Sequence, residues 1–162
     1  MMRLAMIAAW VVAGCASQPP QPVTAEKAAV AQEPPARPFD SSAPPRLETE
    51  TFALELATTA SASTAQPWPI SITLEGRGGY HVNLEYPVRI ELGGSDGAAL
   101  AKTEMAAADA RELSEARARF ETEARWNSVG RHWLAARVQF AVCTPDTCVP
   151  RQESLAVFVE VR

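Results

Sequence analysis

The sequence predicts an all-β protein, an antiparallel β-sandwich that follows a disordered N-terminal linker. From Leu47 onward, apolar and polar residues alternate with a period of two, which indicates strands with one buried face. Glycine-containing turns at 76–79 and 93–97 separate the alternating runs. Before residue 47 the chain is rich in proline and shows no alternation. These three observations place the folded domain at 47–162.

Six or seven short strands are expected within this domain. The clearest is Ala116–Trp126, where small or apolar residues at even positions alternate with charged residues at odd positions. The other alternating faces are Phe52, Leu54 and Leu56; Trp68, Ile70, Ile72 and Leu74; Tyr80, Val82 and Leu84; Tyr86, Val88, Ile90 and Leu92; Leu134, Ala136, Val138, Phe140 and Val142; and Leu155, Val157, Val159 and Val161. Thr103–Ser114 is rich in Ala, Glu and Arg, and we expect a long connection there with one or two helical turns.

The N-terminus predicts export. Arg3 precedes the apolar run Leu4–Ala13, which is too short to cross a bilayer but fits the core of a signal peptide. The run ends in Val-Ala-Gly-Cys, which resembles the bacterial lipobox. That resemblance implies a lipoprotein signal peptide at 1–14, cleavage before Cys15 and acylation of Cys15. The alternatives are an ordinary signal peptide with an incidental cysteine, or a short buried helix.

Residues 15–46 are predicted to form a disordered tether that starts at the lipidated Cys15. Eight of the 13 prolines lie here, and Phe39 is the only aromatic residue, so the segment buries too little apolar surface to fold. Membrane lipid would then be a partner through Cys15. Ala16 is not the aspartate that commonly retains lipoproteins at the inner membrane, so we expect a location at the outer membrane, facing the periplasm.

The remaining cysteines form a pair. With Cys15 acylated, Cys143 and Cys148 are the even pair of an exported chain, which predicts a disulfide. Thr-Pro-Asp-Thr between them suits a tight turn that brings the sulfurs together. Closing so short a loop stabilises a fold by roughly 2 kcal/mol. Two interpretations of the pair therefore remain: a disulfide that stabilises the loop locally, or a redox pair that exchanges with partner thiols.

Two segments carry a family resemblance. "GGYHVNLEYPVRIEL" (Gly78–Leu92) and, some 50 residues later, "VQFAVCTPDTCVP" (Val138–Pro150) resemble the periplasmic N-terminal domain of DsbD-type thiol–disulfide interchange proteins. The resemblance implies an immunoglobulin-like sandwich in which Cys143 and Cys148 are the redox pair, with a periplasmic thiol-redox protein as partner. The sequence lacks that family's membrane and thioredoxin domains. The region that corresponds to its acidic-aromatic cap, Leu100–Ser114, has no aromatic residue.

The residues near the pair in sequence give little sign of thiolate activation. Asp146 would raise the pKa of a neighbouring thiol and Arg151 would lower it. His132 is expected roughly 33 Å away, at the far end of the strand that leads to Cys143, and His81 has no position that the sequence fixes. Two hypotheses stay open: a membrane-tethered thiol–disulfide exchange module, and a non-enzymatic structural or binding lipoprotein with a stapling disulfide.

Other classes of function find no support in the sequence. Two cysteines with four residues between them, and two distant histidines, lack the spacing of a zinc site, so no metal is predicted. No glycine-rich phosphate loop or Ser-His-Asp order is present, and no cofactor is predicted. Removing Arg3 with the signal peptide leaves 14 basic and 19 acidic side chains, and nothing in that balance suggests nucleic acid.

Overall fold

The computed structural model describes residues 38–59, 61–64 and 66–162. The predicted signal peptide (1–14), the predicted lipidation site Cys15 and residues 16–37 of the predicted tether lie outside the described residues. Within the described part of the chain, no helix is long and apolar enough to span a membrane.

The described chain consists of short and long strands joined by turns. The strands are β1 (Arg46–Glu48), β2 (Phe52–Thr58), β3 (Ser61–Ala62), β4 (Trp68–Gly76), β5 (His81–Val82), β6 (Arg89–Gly94), β7 (Ala98–Leu100), β8 (Glu104–Ala106), β9 (Ala110–Leu113), β10 (Arg117–Trp126), β11 (Gly130–Cys143) and β12 (Cys148–Val161). A single 3-10 turn, Ala107–Asp109, lies between β8 and β9.

The strands form two sheets. Sheet A has the order β1-β2-β4-β10-β7, with β9 also paired to β10. Sheet B has the order β3-β12-β11-β6-β8, with β5 also paired to β11. Neighbouring strands are antiparallel, except that the short β3 runs parallel to β12. The two sheets pack face to face as an immunoglobulin-like β-sandwich, which confirms the predicted fold class.

The core lies between the sheets and is built from the predicted alternating faces. On β10 the burial pattern alternates without interruption from exposed Arg117 to buried Trp126, as predicted for Ala116–Trp126. Phe52 of sheet A packs edge-on against Phe140 of sheet B, with ring centroids 5.0 Å apart. The other large, fully buried side chains are Trp68, Trp126, Phe120, Leu54, Leu56, Ile70, Ile72, Leu74, Ile90 and Leu134. One continuous apolar layer therefore stabilises the sandwich.

Two local predictions differ from the structure. Thr103–Ser114 forms two short strands and a 3-10 turn rather than α-helical turns, because β8 pairs with β6 and β9 pairs with β10. Tertiary pairing thus overrides the helix propensity of an Ala-rich segment. The alternation predicted through Tyr80, Val82 and Leu84 stops after Val82, and Leu84 is 47% exposed. The cause is a turn built by Asn83, described below.

The residues just before β1 contact both sheets. The carbonyl oxygen of Pro44 accepts a hydrogen bond from the Ala156 amide in sheet B (3.3 Å), and that of Pro45 accepts one from the Leu56 amide in sheet A (2.8 Å). Phe39 lies on the outer face of sheet B over Gly93. This short segment, Pro38–Pro45, is called the strap below.

Candidate functional site

The predicted disulfide is present at the end of the longest hairpin. β11 and β12 are each 14 residues long, and their last pair is Cys143 opposite Cys148. The two Cα atoms are 4.0 Å apart and the sulfurs are bonded. In the connecting turn the Thr144 amide donates to the Thr147 carbonyl oxygen at 2.8 Å. The turn therefore brings the sulfurs together, as the Thr-Pro-Asp-Thr sequence predicts.

The two cysteines differ in accessibility. Cys143 is 2% exposed, whereas Cys148 belongs to the exposed residues of β12. Solvent and partner molecules therefore reach the pair from the Cys148 side. This asymmetry could not be inferred from the sequence, because each cysteine occupies an equivalent position beside the turn.

Asn83 makes the nearest polar contact with the sulfurs. Its amide nitrogen Nδ2 is 2.9 Å from the Sγ of Cys143 and 3.4 Å from the Sγ of Cys148. Its Oδ1 accepts hydrogen bonds from the backbone amides of Glu85 (2.7 Å) and Tyr86 (2.8 Å). Such an Asx turn removes two amides from strand pairing, which ends β5 after Val82. Sequence reasoning missed Asn83: its type predicts a turn, but nothing local predicts a sulfur contact 60 residues away.

His81 lies next to Cys143. It occupies the position directly opposite Cys143 in the antiparallel β5–β11 pair. Residues directly opposite each other project from the same face, with Cβ atoms about 4.5–5.5 Å apart. Cys148, Cys143 and His81 therefore form a row across three strands, β12, β11 and β5. The tertiary fold supplies the position for His81 that the sequence could not.

Asp146 lies in the turn that joins the two cysteines, whereas Arg151 and His132 lie away from the sulfurs. Arg151 is three residues after Cys148 on β12, so strand alternation directs it to the opposite face of sheet B. His132 lies near the other end of β11, as predicted. It is buried there, with Nδ1 3.0 Å from the Ser95 hydroxyl and Nε2 2.9 Å from the Ser128 carbonyl oxygen. Both ring nitrogens have partners in the fold.

A groove of about 570 Å³ lies on the outer face of sheet A. Its floor comes from β2, β4 and β10, where Ala57 and Ser71 are small, and its walls carry charges of both signs. The charged residues are Lys102, Arg111, Arg119, Glu121 and Glu123. Arg119 and Arg111 both pair with the Glu121 carboxylate, at 2.7 and 3.5 Å. The groove is thus open and partly apolar with charged walls, and it lies on the opposite sheet from the disulfide.

Metal binding finds no site in the described part of the chain. No group of three or more His, Cys, Asp or Glu side chains there is arranged to hold a metal ion.

Comparisons with known proteins show no family for this chain and only distant similarity to solved structures. No family model matches the chain, and no curated protein matches it. The chain is similar to a solved cohesin module from a family 33 glycoside hydrolase of Clostridium perfringens ATCC13124, with 10% identity and a TM-score of 0.45 over 70% of this chain and 98% of that one. It is also similar to AggA, the major subunit of aggregative adherence fimbriae type I from Escherichia coli, with 9% identity and a TM-score of 0.40 over 71% and 98%.

Proposed function

We propose that the domain is a non-enzymatic binding module of an envelope lipoprotein, in which the Cys143–Cys148 disulfide is a local staple. The observation that carries this proposal is where the bond lies. It joins two residues that are already the last antiparallel pair of a long hairpin, so it adds little order that the strands do not impose. The core is continuous without it. A sandwich with such a bond fits a structural or binding role, although the fold by itself does not specify one.

The groove on sheet A is the binding surface in this proposal. Its partly apolar, small-residue floor and its charged walls suit an extended partner segment that carries both apolar and charged groups. A photo-crosslinking amino acid at Ser71, on the floor, should capture a defined partner in cells. The same amino acid at Gln152, exposed on sheet B, serves as the control. Equal capture at both positions, or capture at neither, would remove the groove from the proposal.

The membrane anchor is the second part of the proposal. We infer that acylated Cys15 holds the chain at the outer membrane, facing the periplasm, and that the tether is the part of 15–46 that precedes the strap, residues 15–37. The support is the sequence alone, the lipobox-like Val-Ala-Gly-Cys after an apolar run. Intact mass of the purified protein should show a chain that begins at Cys15 and carries acyl groups. Cys15→Ala should yield an unacylated chain that leaves the membrane fraction, and a wild-type chain without lipid would refute the anchor.

Thiol–disulfide exchange, as in the DsbD-type domain that the sequence resembles, is the second candidate. Two observations favour it: Cys148 is exposed, and a side-chain amide faces both sulfurs. An incoming partner thiolate would attack the Cys148 sulfur, form a partner–Cys148 disulfide and release Cys143 as a thiolate. A second partner thiol would then resolve that mixed disulfide, leaving the partner oxidised and both cysteines reduced. In this direction the partner reduces the Cys143–Cys148 disulfide, and in the reverse direction the two reduced cysteines reduce a disulfide of a partner.

The reduction potential of the pair separates the two candidates. A potential of roughly −180 to −270 mV lies in the range of exchange catalysts, whereas one below about −300 mV indicates a structural disulfide. The staple predicts the lower value and no trapped partner when Cys143→Ala is expressed in cells. A potential in the exchange range, together with a mixed disulfide through Cys148, would refute the staple and establish exchange.

A further inference from the structure

The orientation of the Asn83 side chain is fixed by the backbone. Its Oδ1 accepts from two amides, those of Glu85 and Tyr86. A flipped side chain would place its own N–H groups against these backbone donors, which is unfavourable. The Nδ2 group must therefore face the sulfurs, and it does so at 2.9 Å from Cys143 and 3.4 Å from Cys148.

An amide donor in this position discriminates between oxidation states. A disulfide sulfur is a weak hydrogen-bond acceptor, whereas a thiolate is charged and accepts strongly. The same N–H groups therefore contribute little to the oxidised protein and more to a reduced protein that carries a thiolate. A donor to the charged form of a group also lowers the pKa of that group.

We propose that Asn83 is the thiolate-stabilising residue of this site and that it makes the Cys143–Cys148 bond easier to reduce. The Cys143 thiolate is stabilised more than that of Cys148, because the Cys143 sulfur is nearer to Asn83 and Cys143 is 2% exposed. Burial raises the pKa of a thiol and disfavours the thiolate, and the Asn83 donor opposes this effect. When Cys148 is attacked, Cys143 is the leaving sulfur, and a stabilised leaving thiolate departs faster.

Other titratable groups adjoin the pair. His81 lies opposite Cys143 on β5, Asp146 is in the connecting turn, and Glu85 and Tyr86 follow Asn83. None of these side chains has a hydrogen bond to a sulfur among the contacts of the described residues, whereas Asn83 has two. The contribution of Asn83 can therefore be measured by replacing it while these groups stay in place.

Two replacements isolate the amide donor. Asn83→Asp keeps the size of the side chain and an oxygen for the two backbone amides, but it replaces the donor with a carboxylate oxygen. Asn83→Ser keeps an oxygen for the turn and adds no charge. Asn127→Asp is the matched control, since it adds the same charge in the exposed turn before β11, at the other end of that strand from Cys143.

The measurements are equilibrium with glutathione and the pH dependence of thiolate absorbance in the reduced protein. Losing one hydrogen bond to a charged group should shift the redox equilibrium about tenfold toward the disulfide, equal to about 30 mV. Both Asn83 variants should also raise the pKa of the Cys143 thiol, while Asn127→Asp should match wild type. The proposal is overturned if both Asn83 variants, folded by circular dichroism, keep the wild-type equilibrium within twofold.

This inference deepens the exchange candidate and rests on it for its use in the cell, but the two fail separately. A wild-type potential in the structural range, with a tenfold shift in the variants, would remove exchange and keep the role of Asn83. A wild-type potential in the exchange range, with no shift in the variants, would keep exchange and remove the role of Asn83. If the Asp variant does not fold, the Ser variant carries the same comparison.

Discussion

Gly93 and Phe39 offer a sharp test of how the strap attaches to the sandwich. Gly93 is in β6, and a Cβ atom there would lie 2.3 Å from Cδ2 of the Phe39 ring. No side chain is tolerated at that distance, so Gly93→Ala must displace the ring. The backbone of Gly93 is not in the left-handed region, because the described glycines with positive φ are Gly78, Gly79, Gly97 and Gly130. The substitution therefore acts through the ring and not through backbone strain.

The magnitude follows from what the ring contacts. Phe39 is half-buried, and the guanidinium carbon of Arg137 lies 5.2 Å from the ring centroid. Full burial of a phenylalanine contributes about 1.5–3 kcal/mol, and a cation–π contact at a surface adds about 0.5–1 kcal/mol. Because Phe39 is half-buried, half of the burial contribution plus the cation–π contribution gives about 2 kcal/mol. We expect Phe39→Ala to lower the free energy of unfolding by that amount, and Gly93→Ala to lower it by nearly as much.

The double variant makes the prediction decisive. With Phe39 already replaced by Ala, a methyl group at Gly93 meets no ring and should cost less than about 0.5 kcal/mol, since glycine is a poor strand residue in any case. Urea denaturation of the four proteins gives a coupling energy of about 2 kcal/mol if the ring covers Gly93. Additive losses, within about 0.5 kcal/mol, would show that the strap does not rest there.

Three further predictions follow from the core, the disulfide and the surface. Phe120→Ala removes a ring that is 1% exposed, so it should lower the free energy of unfolding by about 3–5 kcal/mol in urea denaturation; a loss below 1 kcal/mol would contradict its place in the core. Replacing both Cys143 and Cys148 by Ser should lower the midpoint of thermal unfolding but leave a cooperative transition, because the bond contributes at most roughly 2 kcal/mol; a chain that no longer folds would contradict a merely local staple. The hydrogen bonds from Lys102 and from the Ala106 amide hold the pKa of Asp109 below its usual value of 3.8. The stability that ionised Asp109 contributes is therefore present above pH 3.8 and is lost as the pH falls through the lower pKa of the folded state. Lys102→Met should make acid unfolding curves less sensitive to this titration, and curves identical to wild type would contradict the Lys102–Asp109 pair.

Much of the fold could be predicted from the sequence because strand periodicity is a local signal. The charged and apolar residues of Arg117–Trp126 alternate strictly, and the strand forms with that pattern of burial. Prediction was wrong where tertiary pairing decides the outcome, as in Thr103–Ser114. Its Ala-rich composition favours a helix, but the available edges of β6 and β10 take its two halves as strands. The contact of Phe39 with sheet B could not be predicted either, since a lone aromatic residue in a proline-rich segment shows no periodicity.

At the candidate site, too, local features could be predicted from the sequence and tertiary contacts could not. The pairing of Cys143 with Cys148 could be predicted, because the Thr-Pro-Asp-Thr turn between them is a local signal. The neighbours of the pair could not, because His81 comes opposite Cys143, and Asn83 reaches the sulfurs, only after β5 has paired with β11. Even the direction of the Asn83 amide depends on a turn that interrupts a predicted strand. Whether the bond is a staple or an exchange site thus depends on tertiary contacts that the cysteine spacing does not encode.

The position of the disulfide also bears on why an exposed bond need not weaken the domain. Reducing it leaves the turn at 144–147 with its own Thr144–Thr147 hydrogen bond, and the β11–β12 ladder continues from Val142 paired with Val149, where Val142 is fully buried. Opening is therefore confined to the tip of the hairpin, because the next pair is already held by the core. We therefore expect the sandwich to stay folded in both oxidation states, which a cycling pair requires and a staple does not. Stability of the reduced domain would thus leave both roles open, and the reduction potential of the pair is the quantity that separates them.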